Sequence, residues 1–245
     1  MRGAVQGTAR PNGAANPSGA AATVPGVVQP GILAEIELFT GLDDDALSTV
    51  ARAAAHRSLA RNDLLFREGD VATELYFVQR GRLAIATHSP DGRESMVALM
   101  EAGDLFGELS FFDGRGRSAD ARALEPSDVV AVPFAPLREA LLRQPDALWN
   151  VVRLLVGRLR STDEALADSV FLDVPARTAK RLLELAGDND EFQLPITQEE
   201  LAGLVGASRE RVNKAIAQFV RLGWIEQGER RYKLVKREEL ARRAR

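Results

Sequence analysis

The chain has 245 residues, enough for two small domains, and contains no cysteine, which excludes disulfides, thiolate zinc sites and cysteine-held iron–sulfur clusters. Its net charge of −3 is unevenly spread, because residues 174–245 hold 15 Lys and Arg against 11 Asp and Glu, a basic balance suited to a polyanionic partner. With only His56 and His88 we expect no metal site, and with neither a secretory signal nor a run of roughly 18 to 20 apolar residues we expect a cytoplasmic protein without membrane contact.

The N-terminal residues 1–30 are rich in Ala, Gly and Pro and nearly devoid of large apolar groups. Such a segment cannot bury enough surface to offset its chain entropy, so a disordered tail is predicted there. From Ile32 the pattern becomes helical, and the three aspartates of "DDDALSTVARAAA" favour a helix start.

Residues 31–145 are predicted to form a β domain with its strands between about 58 and 134. Short apolar bursts alternate with turn residues, and glycines recur every 11 or 12 residues from Gly69 to Gly114. This pattern is typical of an antiparallel sandwich or barrel. The stretch "SPDGRE" predicts a tight hairpin, because Asp-Gly tolerates positive φ angles.

Late in this domain, the stretch "GELSFFDGRGRSA" places a carboxylate a few residues before two arginines. A charged hairpin loop is one interpretation. The other is a segment that wraps a small molecule with a hydroxyl-rich part and an anionic part.

Residues 146–172 are predicted to form one long dimerisation helix. Apolar side chains recur in steps of four and three, the heptad spacing of a two-stranded coiled coil. A helix packed on its own β domain is the alternative, since Val151, Leu154 and Val156 widen the apolar face. Thr162 is a polar residue in the seam, where it sets register or contacts a ligand. The predicted dimer interface is Leu148, Val152, Leu155, Leu159, Thr162 and Leu166.

Residues 173–245 are predicted to be a winged helix-turn-helix unit. Thr197 and Glu200 have the spacing of a capping box, Gly206 permits a sharp turn, and Ser208 begins an amphipathic helix that buries Val212, Ile216, Phe219 and Val220. The stretch "WIEQGERRYKLV" predicts two short strands around a basic turn. Arg and Lys can donate to guanine, and Glu can accept from the cytosine amino group. The predicted DNA-binding residues are Thr197, Ser208, Arg209, Glu210, Arg211 and Lys214.

Three motifs follow one another along the chain, and their order and spacing are unlikely to arise by chance: "FGELSFFDGRGRSADA", "RLRSTDEALADSVFLDVPARTAKRLLEL" and "TQEELAGLVGASRERVNKAI". Over about residues 32–245 the chain resembles transcription regulators of the Crp/Fnr family, specifically the cyclic-AMP receptor protein branch. The phrase "LVGASRERVNKA" and the tail "ELARRAR" look most like actinobacterial members.

This resemblance implies a cyclic nucleotide in the β domain. Gly107 and Glu108 match the family positions that hold the ribose 2′-hydroxyl, and Arg117 with Ser118 matches the pair that binds the cyclic phosphate. The chemistry agrees, because a carboxylate accepts from a hydroxyl while a guanidinium and a hydroxyl suit a phosphodiester. Glu108 could instead brace the loop, and Arg115 is interpreted as a solvated loop residue.

The remaining implied ligand residues are Leu109, Ser110, Thr162 and Asp163. The first two would shape the backbone on the phosphate side, and the last two match helix positions that meet adenine. The family commonly has an uncharged residue where this chain has Asp163, and a buried carboxylate without a donor is costly. The effector therefore stays open between cAMP, another nucleotide such as cGMP or a cyclic dinucleotide, and none. Lys214 stands where some members have arginine, which predicts a related palindrome with an altered preference at one position.

The resemblance implies an α+β fold, no enzymatic activity, no cofactor other than the allosteric nucleotide, and a homodimer that binds palindromic double-stranded DNA, with RNA polymerase as a candidate partner. The ligand would act through Thr162 and a hinge at residues 171–175 to set the recognition helices about 34 Å apart. Two alternatives remain: a ligand-independent regulator with a vestigial pocket, and a nucleotide-binding regulatory subunit that does not bind DNA.

Overall fold

The computed structural model describes residues 22–24, 27–89, 94–229 and 231–245. It confirms the predicted α+β class, with an antiparallel β-roll, a long helix and a C-terminal winged helix-turn-helix. The helices are α1 (Pro30–Ala34), α2 (Asp44–Ala53), α3 (Leu109–Asp113), α4 (Phe134–Arg143), α5 (Leu148–Phe171), α6 (Val174–Ala186), α7 (Gln198–Val205), α8 (Arg209–Arg221) and α9 (Arg237–Arg243). The strands are β1 (Ala22–Val24), β2 (Ala55–Leu59), β3 (Leu64–Phe66), β4 (Glu74–Arg80), β5 (Leu83–His88), β6 (Glu94–Met100), β7 (Leu105–Phe106), β8 (Asp120–Ala123), β9 (Ser127–Pro133), β10 (Glu191–Gln193), β11 (Ile225–Gln227) and β12 (Arg231–Leu234).

The β-roll consists of two antiparallel sheets, ordered β1-β2-β9-β4-β7 and β3-β8-β5-β6. Apolar side chains from both sheets, among them Val78, Leu83 and Phe106, meet in a buried core between them. The turn of the predicted "SPDGRE" hairpin, residues 90–93, lies outside the described residues. The strands on either side pair as a hairpin requires, with His88 opposite Glu94.

The N-terminal segment departs from the predicted disordered tail. Strand β1 pairs antiparallel with β2, with Ala22 opposite Ser58, and Val28 is completely buried. Edge-strand pairing uses backbone hydrogen bonds and needs no large side chains, so composition gives little sign of it. The prediction for residues 1–30 is therefore wrong for 22–24 and 27–30, while 1–21 and 25–26 lie outside the described residues.

Helices cover the outer face of the five-stranded sheet. Helix α2 begins as predicted, because the Asp43 side chain accepts a hydrogen bond from the Ala46 amide at 2.8 Å. Buried Phe39, Leu75 and Leu137 belong to the core that joins this sheet to α1, α2, α4 and the start of α5.

The C-terminal unit has the predicted winged helix-turn-helix architecture. Thr197 and Glu200 form the capping box at the start of α7, and Gly206 ends that helix with a φ of 66°. Ser208 caps α8. Strand β10, which the sequence analysis missed, adds a third strand to the wing. The prediction that Val220 is buried is wrong, because that side chain lies at the edge of the apolar face and is exposed.

Candidate functional site

Gly107 lies between β7 and α3 and is the first residue of the stretch "GELSFFDGRGRSA". Its φ of 79° is in the left-handed region, which favours glycine. A Cβ atom at this position would lie 2.6 Å from Nη1 of Arg117. A larger residue would therefore displace the arginine, which accounts for glycine immediately before Glu108.

Glu108 is a buried carboxylic acid, with only 1% of its surface exposed. Its Oε1 is 3.3 Å from Nη1 of Arg158 on α5, yet this oxygen receives no hydrogen bond from the described residues. Burial raises the pKa of the Glu108 carboxyl, and the positive charge of Arg158 offsets only part of that effect. A buried oxygen without a donor costs free energy, so a ligand hydroxyl would be stabilised here.

Arg117 is also buried, with 5% of its surface exposed. Its Nη1 donates to the Gly107 carbonyl at 3.1 Å and its Nη2 to the Glu74 carbonyl at 2.7 Å. The guanidinium lies over the rings of Phe66 and Tyr76, with its carbon 4.2 Å and 5.2 Å from their centroids. Burial lowers the pKa of Arg117. Carbonyls and rings hold this cation, and its Nε has no hydrogen-bond acceptor in the described part of the chain.

The neighbouring predicted residues surround these two charges. Ser110 is buried and its hydroxyl donates to the Gly116 carbonyl at 3.2 Å. Leu109 and Ser118 are exposed and line the same cavity as Ser110. Arg115 is exposed in the loop and does not line this cavity, in agreement with its interpretation as a solvated residue.

A cavity of about 1220 Å³ opens beside Glu108 and Arg117, between the β-roll, α5 and the helices α6 and α7. Thr162 lines it, and its hydroxyl donates to the Arg158 carbonyl at 2.9 Å. Asp163 is exposed and does not line it. The structure therefore brings together all the predicted ligand residues except Asp163.

The recognition helix α8 presents its charged side chains to solvent. The side chains of Arg209, Glu210, Arg211 and Lys214 are exposed, whereas Val212 is buried. Such a helix can place donors and acceptors against base edges in a major groove. Thr197 and Ser208 stand at the helix starts as capping residues, positions that suit backbone contacts.

Comparison with known proteins decides the family. Residues 56–144 match a cyclic nucleotide-binding domain, and residues 176–243 match a Crp-like helix-turn-helix domain. A CRP-like cAMP-activated global transcriptional regulator of Mycobacterium tuberculosis is 38% identical over 221 residues, covering 87% of this chain and 99% of the relative. The chain belongs to the Crp-like family of transcription regulators. The resemblance found in the sequence is thereby confirmed.

Two further matches agree with this membership. The cAMP-activated global transcriptional regulator Vfr of Pseudomonas aeruginosa is 31% identical over 186 residues, covering 72% of this chain and 86% of the relative. The structure of FixK2 from Bradyrhizobium japonicum has a TM-score of 0.71 at 22% identity, covering 77% of this chain and 96% of FixK2. The second match shows the Crp-like fold alone.

Arg158 is a charged cavity residue of this Crp-like chain that the sequence analysis missed. It lies one helical turn before Thr162, pairs with Glu108 and donates from Nη2 to the Leu105 carbonyl. The i, i+4 spacing from a cation to Thr162 was the available signal, because such residues share a helix face.

Helix α5 has two distinct apolar faces in this Crp-like chain. Leu155 is half-buried against the β-roll core, together with Leu154 and the buried Val151, and it lines the cavity with Leu159 and Thr162. The predicted dimer seam stays a prediction, and lining the cavity is compatible with the predicted double role of Thr162. An exposed stripe with steps of four and three runs along the helix, includes Asp163, and borders the cavity at Leu159. It consists of Leu148, Val152, Val156, Leu159, Asp163, Leu166 and Val170.

A search of the described residues finds no group of His, Asp and Glu side chains suited to a metal ion. None of the helices in that part of the chain combines the length and the apolar character that a membrane span requires.

Proposed function

We propose that this Crp-like regulator is a homodimer whose affinity for a palindromic DNA operator rises when a cyclic nucleotide, cAMP in the first instance, occupies the cavity beside Glu108 and Arg117. The observation that supports it most directly is the unsatisfied Oε1 of Glu108 at the wall of an open cavity. No enzymatic reaction and no resident cofactor form part of the proposal.

The cavity offers complementary groups for the two polar parts of such a ligand. The Glu108 carboxylate can accept from a ribose hydroxyl, and the exposed Ser118 hydroxyl can donate to a phosphate. Arg117 would bind the phosphate by exchanging its bonds to the Gly107 and Glu74 carbonyls for bonds to the anion. Both hydrogen bonds that Arg117 donates to the described residues go to neutral carbonyls, so this buried cation gains from the full negative charge of a phosphate.

The choice of cAMP rests on the relatives and on the position of Asp163. The matched proteins of Mycobacterium tuberculosis and Pseudomonas aeruginosa are both named as cAMP-activated regulators. Asp163 lies outside this chain's cavity, so its carboxylate imposes no desolvation cost on a purine bound beside Thr162.

The alternative of a vestigial pocket is disfavoured by the residues that line the cavity. A pocket without a ligand would gain nothing from a buried carboxylate oxygen that lacks a donor, and Glu108 at the cavity wall keeps one. The regulatory subunit without DNA binding is disfavoured by the Crp-like helix-turn-helix match and the exposed charges of α8.

Dimerisation is proposed through the exposed stripe of α5. Leu159 and Leu166 are 61% and 63% exposed, and burying such side chains contributes roughly 1.5 to 3 kcal/mol each. Paired recognition helices about 34 Å apart would meet successive major grooves of a palindrome. RNA polymerase is proposed as the partner of the DNA-bound dimer, and the cytoplasm as its location.

The test combines calorimetric titration with operator binding. Wild type, Arg117→Ala and Arg115→Ala are titrated with cAMP, cGMP and a cyclic dinucleotide, and binding to a palindromic operator selected from random duplexes is measured with and without each nucleotide. We expect cAMP to raise wild-type operator affinity and Arg117→Ala to weaken cAMP binding about 10- to 100-fold, the scale of a lost charge-assisted contact. Arg115→Ala, the matched loop arginine, should behave as wild type.

Three results would each contradict part of the proposal. Operator affinity that no nucleotide changes would refute ligand gating while leaving DNA binding intact. Equal cAMP affinity in wild type and Arg117→Ala would remove Arg117 from the phosphate site. A monomer at micromolar concentration that still binds both half-sites would refute the dimer.

A further inference from the structure

Two opposite charges lie at the wall of the ligand cavity without pairing with each other. The ion pair of Glu108 is with Arg158, at 3.3 Å, and Arg117 forms no ion pair with any of the residues that the structure describes. Opposite charges attract strongly where bulk water is excluded. The fold must therefore contain a feature that keeps the guanidinium of Arg117 from moving onto the carboxylate of Glu108.

The two charged groups are near neighbours. Nη1 of Arg117 donates to the carbonyl of Gly107, the residue before Glu108, at 3.1 Å. Burial raises the pKa of the Glu108 carboxyl, and the charge of Arg117 lowers it, although less than the charge of Arg158 does. One Glu108 oxygen has no donor in the described part of the chain. A guanidinium that swung towards this oxygen would satisfy both groups, and neither would then be available to a ligand.

Three aromatic rings pack together next to Arg117. The ring centroid of Tyr76 on β4 lies 5.6 Å from that of Phe66 on β3 and 5.4 Å from that of Phe106 on β7. The guanidinium carbon of Arg117 is 4.2 Å from the centroid of Phe66 and 5.2 Å from that of Tyr76. The face of an aromatic ring attracts a cation, and more strongly when both are removed from water. We call these three rings the aromatic platform.

Glu74 ties the aromatic platform and the arginine to the same strands. Its carboxylate accepts from the Tyr76 hydroxyl at 3.2 Å and pairs with Arg57 at 2.9 Å, while its carbonyl accepts from Nη2 of Arg117 at 2.7 Å. Burial and the Glu74 carboxylate raise the pKa of Tyr76 to about 12, so the hydroxyl keeps the proton that it donates. Arg117 is thereby anchored to β2 and β4 of the five-stranded sheet.

The rings can hold Arg117 at the moment when its carbonyl bonds are lost. In the proposed function, the guanidinium exchanges its bonds to the Gly107 and Glu74 carbonyls for bonds to a phosphate. The attraction to a ring depends on how far the charge lies from the ring, and not on which acceptor its N–H groups face. The aromatic platform therefore keeps the guanidinium in place while its donors change partner.

We propose that the aromatic platform is a positioning element of the ligand site, which keeps the Arg117 guanidinium away from the Glu108 carboxylate so that both charges stay free for the two polar parts of a nucleotide. This inference rests on the proposed function for the identity of the ligand, but not for the position of Arg117. Phe66 and Phe106 line the cavity, whereas Tyr76 lies outside its lining.

The test removes one ring and retains most of its apolar volume. Phe66→Leu deletes the ring nearest the guanidinium of Arg117, and Phe66→Tyr keeps a ring there. Phe192→Leu is the matched control, because Phe192 stacks on Tyr232 in the wing with ring centroids 5.7 Å apart and does not line the cavity. Phe66→Leu is also combined with Glu108→Gln, which removes the charge that attracts the guanidinium.

A second variant keeps the test decisive if Phe66→Leu does not fold, which circular dichroism shows. Tyr76→Phe retains the ring but removes the hydroxyl that donates to Glu74. It should change nucleotide binding and the position of Arg117 in the same direction as Phe66→Leu, and by less.

Titration calorimetry with cAMP measures the consequence for binding. We expect Phe66→Leu to bind cAMP about 3- to 30-fold more weakly than wild type, the scale of a desolvated cation–π contact, because fewer molecules hold Arg117 in the binding position. Phe66→Tyr and Phe192→Leu should match wild type. In the Glu108→Gln background, Phe66→Leu should cause no further loss, because a neutral side chain does not draw the guanidinium away.

Crystal structures of the ligand-free proteins locate Arg117 without any nucleotide. In Phe66→Leu we expect the guanidinium to have left the Gly107 and Glu74 carbonyls and to donate to the Glu108 carboxylate. In wild type, Phe66→Tyr and Phe192→Leu it should remain on the two carbonyls.

The outcomes separate this inference from the proposed function. A wild type that binds no nucleotide refutes the proposed ligand, yet a new ion pair between Arg117 and Glu108 in Phe66→Leu still supports the aromatic platform. A guanidinium that stays on its carbonyls in Phe66→Leu overturns the inference, and so does a Phe66→Leu protein with the cAMP affinity of wild type. Equal losses from Phe66→Leu with and without the Glu108 charge would show that the ring only supports the cavity wall, which also overturns it.

Discussion

Charged groups are buried at the ligand cavity of this regulator and exposed on its recognition helix. Glu108 and Arg117 lie beneath the surface of the β-roll, where protein atoms have replaced water. Arg209, Arg211 and Lys214 project into solvent from α8. Glu108 and Arg117 can bind a ligand only because the fold brings them together beside the cavity. The exposed cations of α8 need only a helix whose apolar face is packed against the rest of the domain.

Because of this difference in burial, different electrostatic effects should dominate nucleotide binding and DNA binding. Electrostatic interactions are strong and weakly screened in a buried site, so the cavity can discriminate a small anion by geometry. Interactions of exposed cations with a polyanion are dominated by counterion release, so they give affinity that salt controls. Burial, rather than the number of charges, separates the two roles.

Salt provides the largest expected effect. Raising the salt concentration from 50 to 200 mM should weaken operator binding on the order of 10³-fold, because counterions condensed on DNA are displaced by Lys and Arg. Nucleotide binding to the ligand-free protein should change by only about twofold, since Glu108 and Arg117 are shielded from bulk ions. Anisotropy titrations and calorimetry at both salt concentrations measure the two responses.

Equal salt dependence of nucleotide binding and operator binding would contradict the contrast between a buried ligand site and an exposed DNA-binding surface. It would mean that the nucleotide binds at the exposed basic surface and not in the cavity. A double-stranded duplex without the palindrome serves as the control for binding that is independent of sequence.

Most of the fold could be predicted from local sequence signals. The strands that could not be predicted form because another strand of the fold lies beside them. Caps and turns at Asp43, Thr197 and Ser208 mark helix starts wherever the chain goes. Strand β10 has only three residues, too few for its polar–apolar alternation to indicate a strand, and it forms because β12 lies beside it, with Glu191 opposite Lys233. The edge strand β1 could not be predicted either, because it forms by pairing with β2.

The candidate site was predictable in its residues but not in their orientation. Resemblance to the Crp/Fnr family supplied Glu108, Arg117 and Thr162, and the cavity contains all three. Heptad spacing could not fix the rotation of α5, because packing on the β-roll core decides which apolar face stays exposed. Leu155 of the predicted dimer seam is half-buried against that core, while Val156 and Val170, which the prediction left out, are exposed.

Glu108→Gln should affect ligand binding and stability in opposite directions. Replacing the charged acceptor should weaken nucleotide binding about 10- to 100-fold, the scale of a hydrogen bond to a charged group. The ligand-free protein should become more stable at neutral pH, because a buried carboxylate no longer has to be ionised. Titration calorimetry and thermal unfolding on the same samples measure both effects.

The raised pKa of Glu108 determines how the stability difference between Glu108→Gln and wild type should change with pH. Burial raises the pKa of Glu108 above its value in the unfolded chain, so the folded state binds this proton more tightly. The stability that protonated Glu108 contributes is complete below the unfolded pKa and is lost as the pH rises through the folded pKa. The unfolding free energy of Glu108→Gln minus that of wild type should therefore grow from about pH 4 towards neutral pH. A difference that shrinks over this range would show that the pair with Arg158 outweighs burial.

The smallest effect is expected where the two regions meet, at the segment between α5 and α6. Asp173 caps α6 by accepting from the Ala176 amide at 2.9 Å, and Nη2 of Arg243 on α9 donates to both of its carboxylate oxygens, at 2.6 and 2.5 Å. Burial raises the pKa of Asp173, but the hydrogen bonds from Arg243 and Ala176 outweigh it and the net pKa is lowered.

Because the pair is largely exposed, Arg243→Ala should cost less than about 1 kcal/mol of unfolding free energy at pH 7. A lowered folded pKa means that this contribution is present above the unfolded pKa and is lost as the pH falls through the folded value. Chemical denaturation at pH 7 and near pH 3 should thus show a difference from wild type that disappears in acid, while Arg242→Ala, whose partner Glu239 lies on the same helix, should show little difference at either pH. A loss that persists in acid would mean that Arg243 acts by packing α9 against α6, and that the segment joining the two regions is held by apolar contact instead of charge.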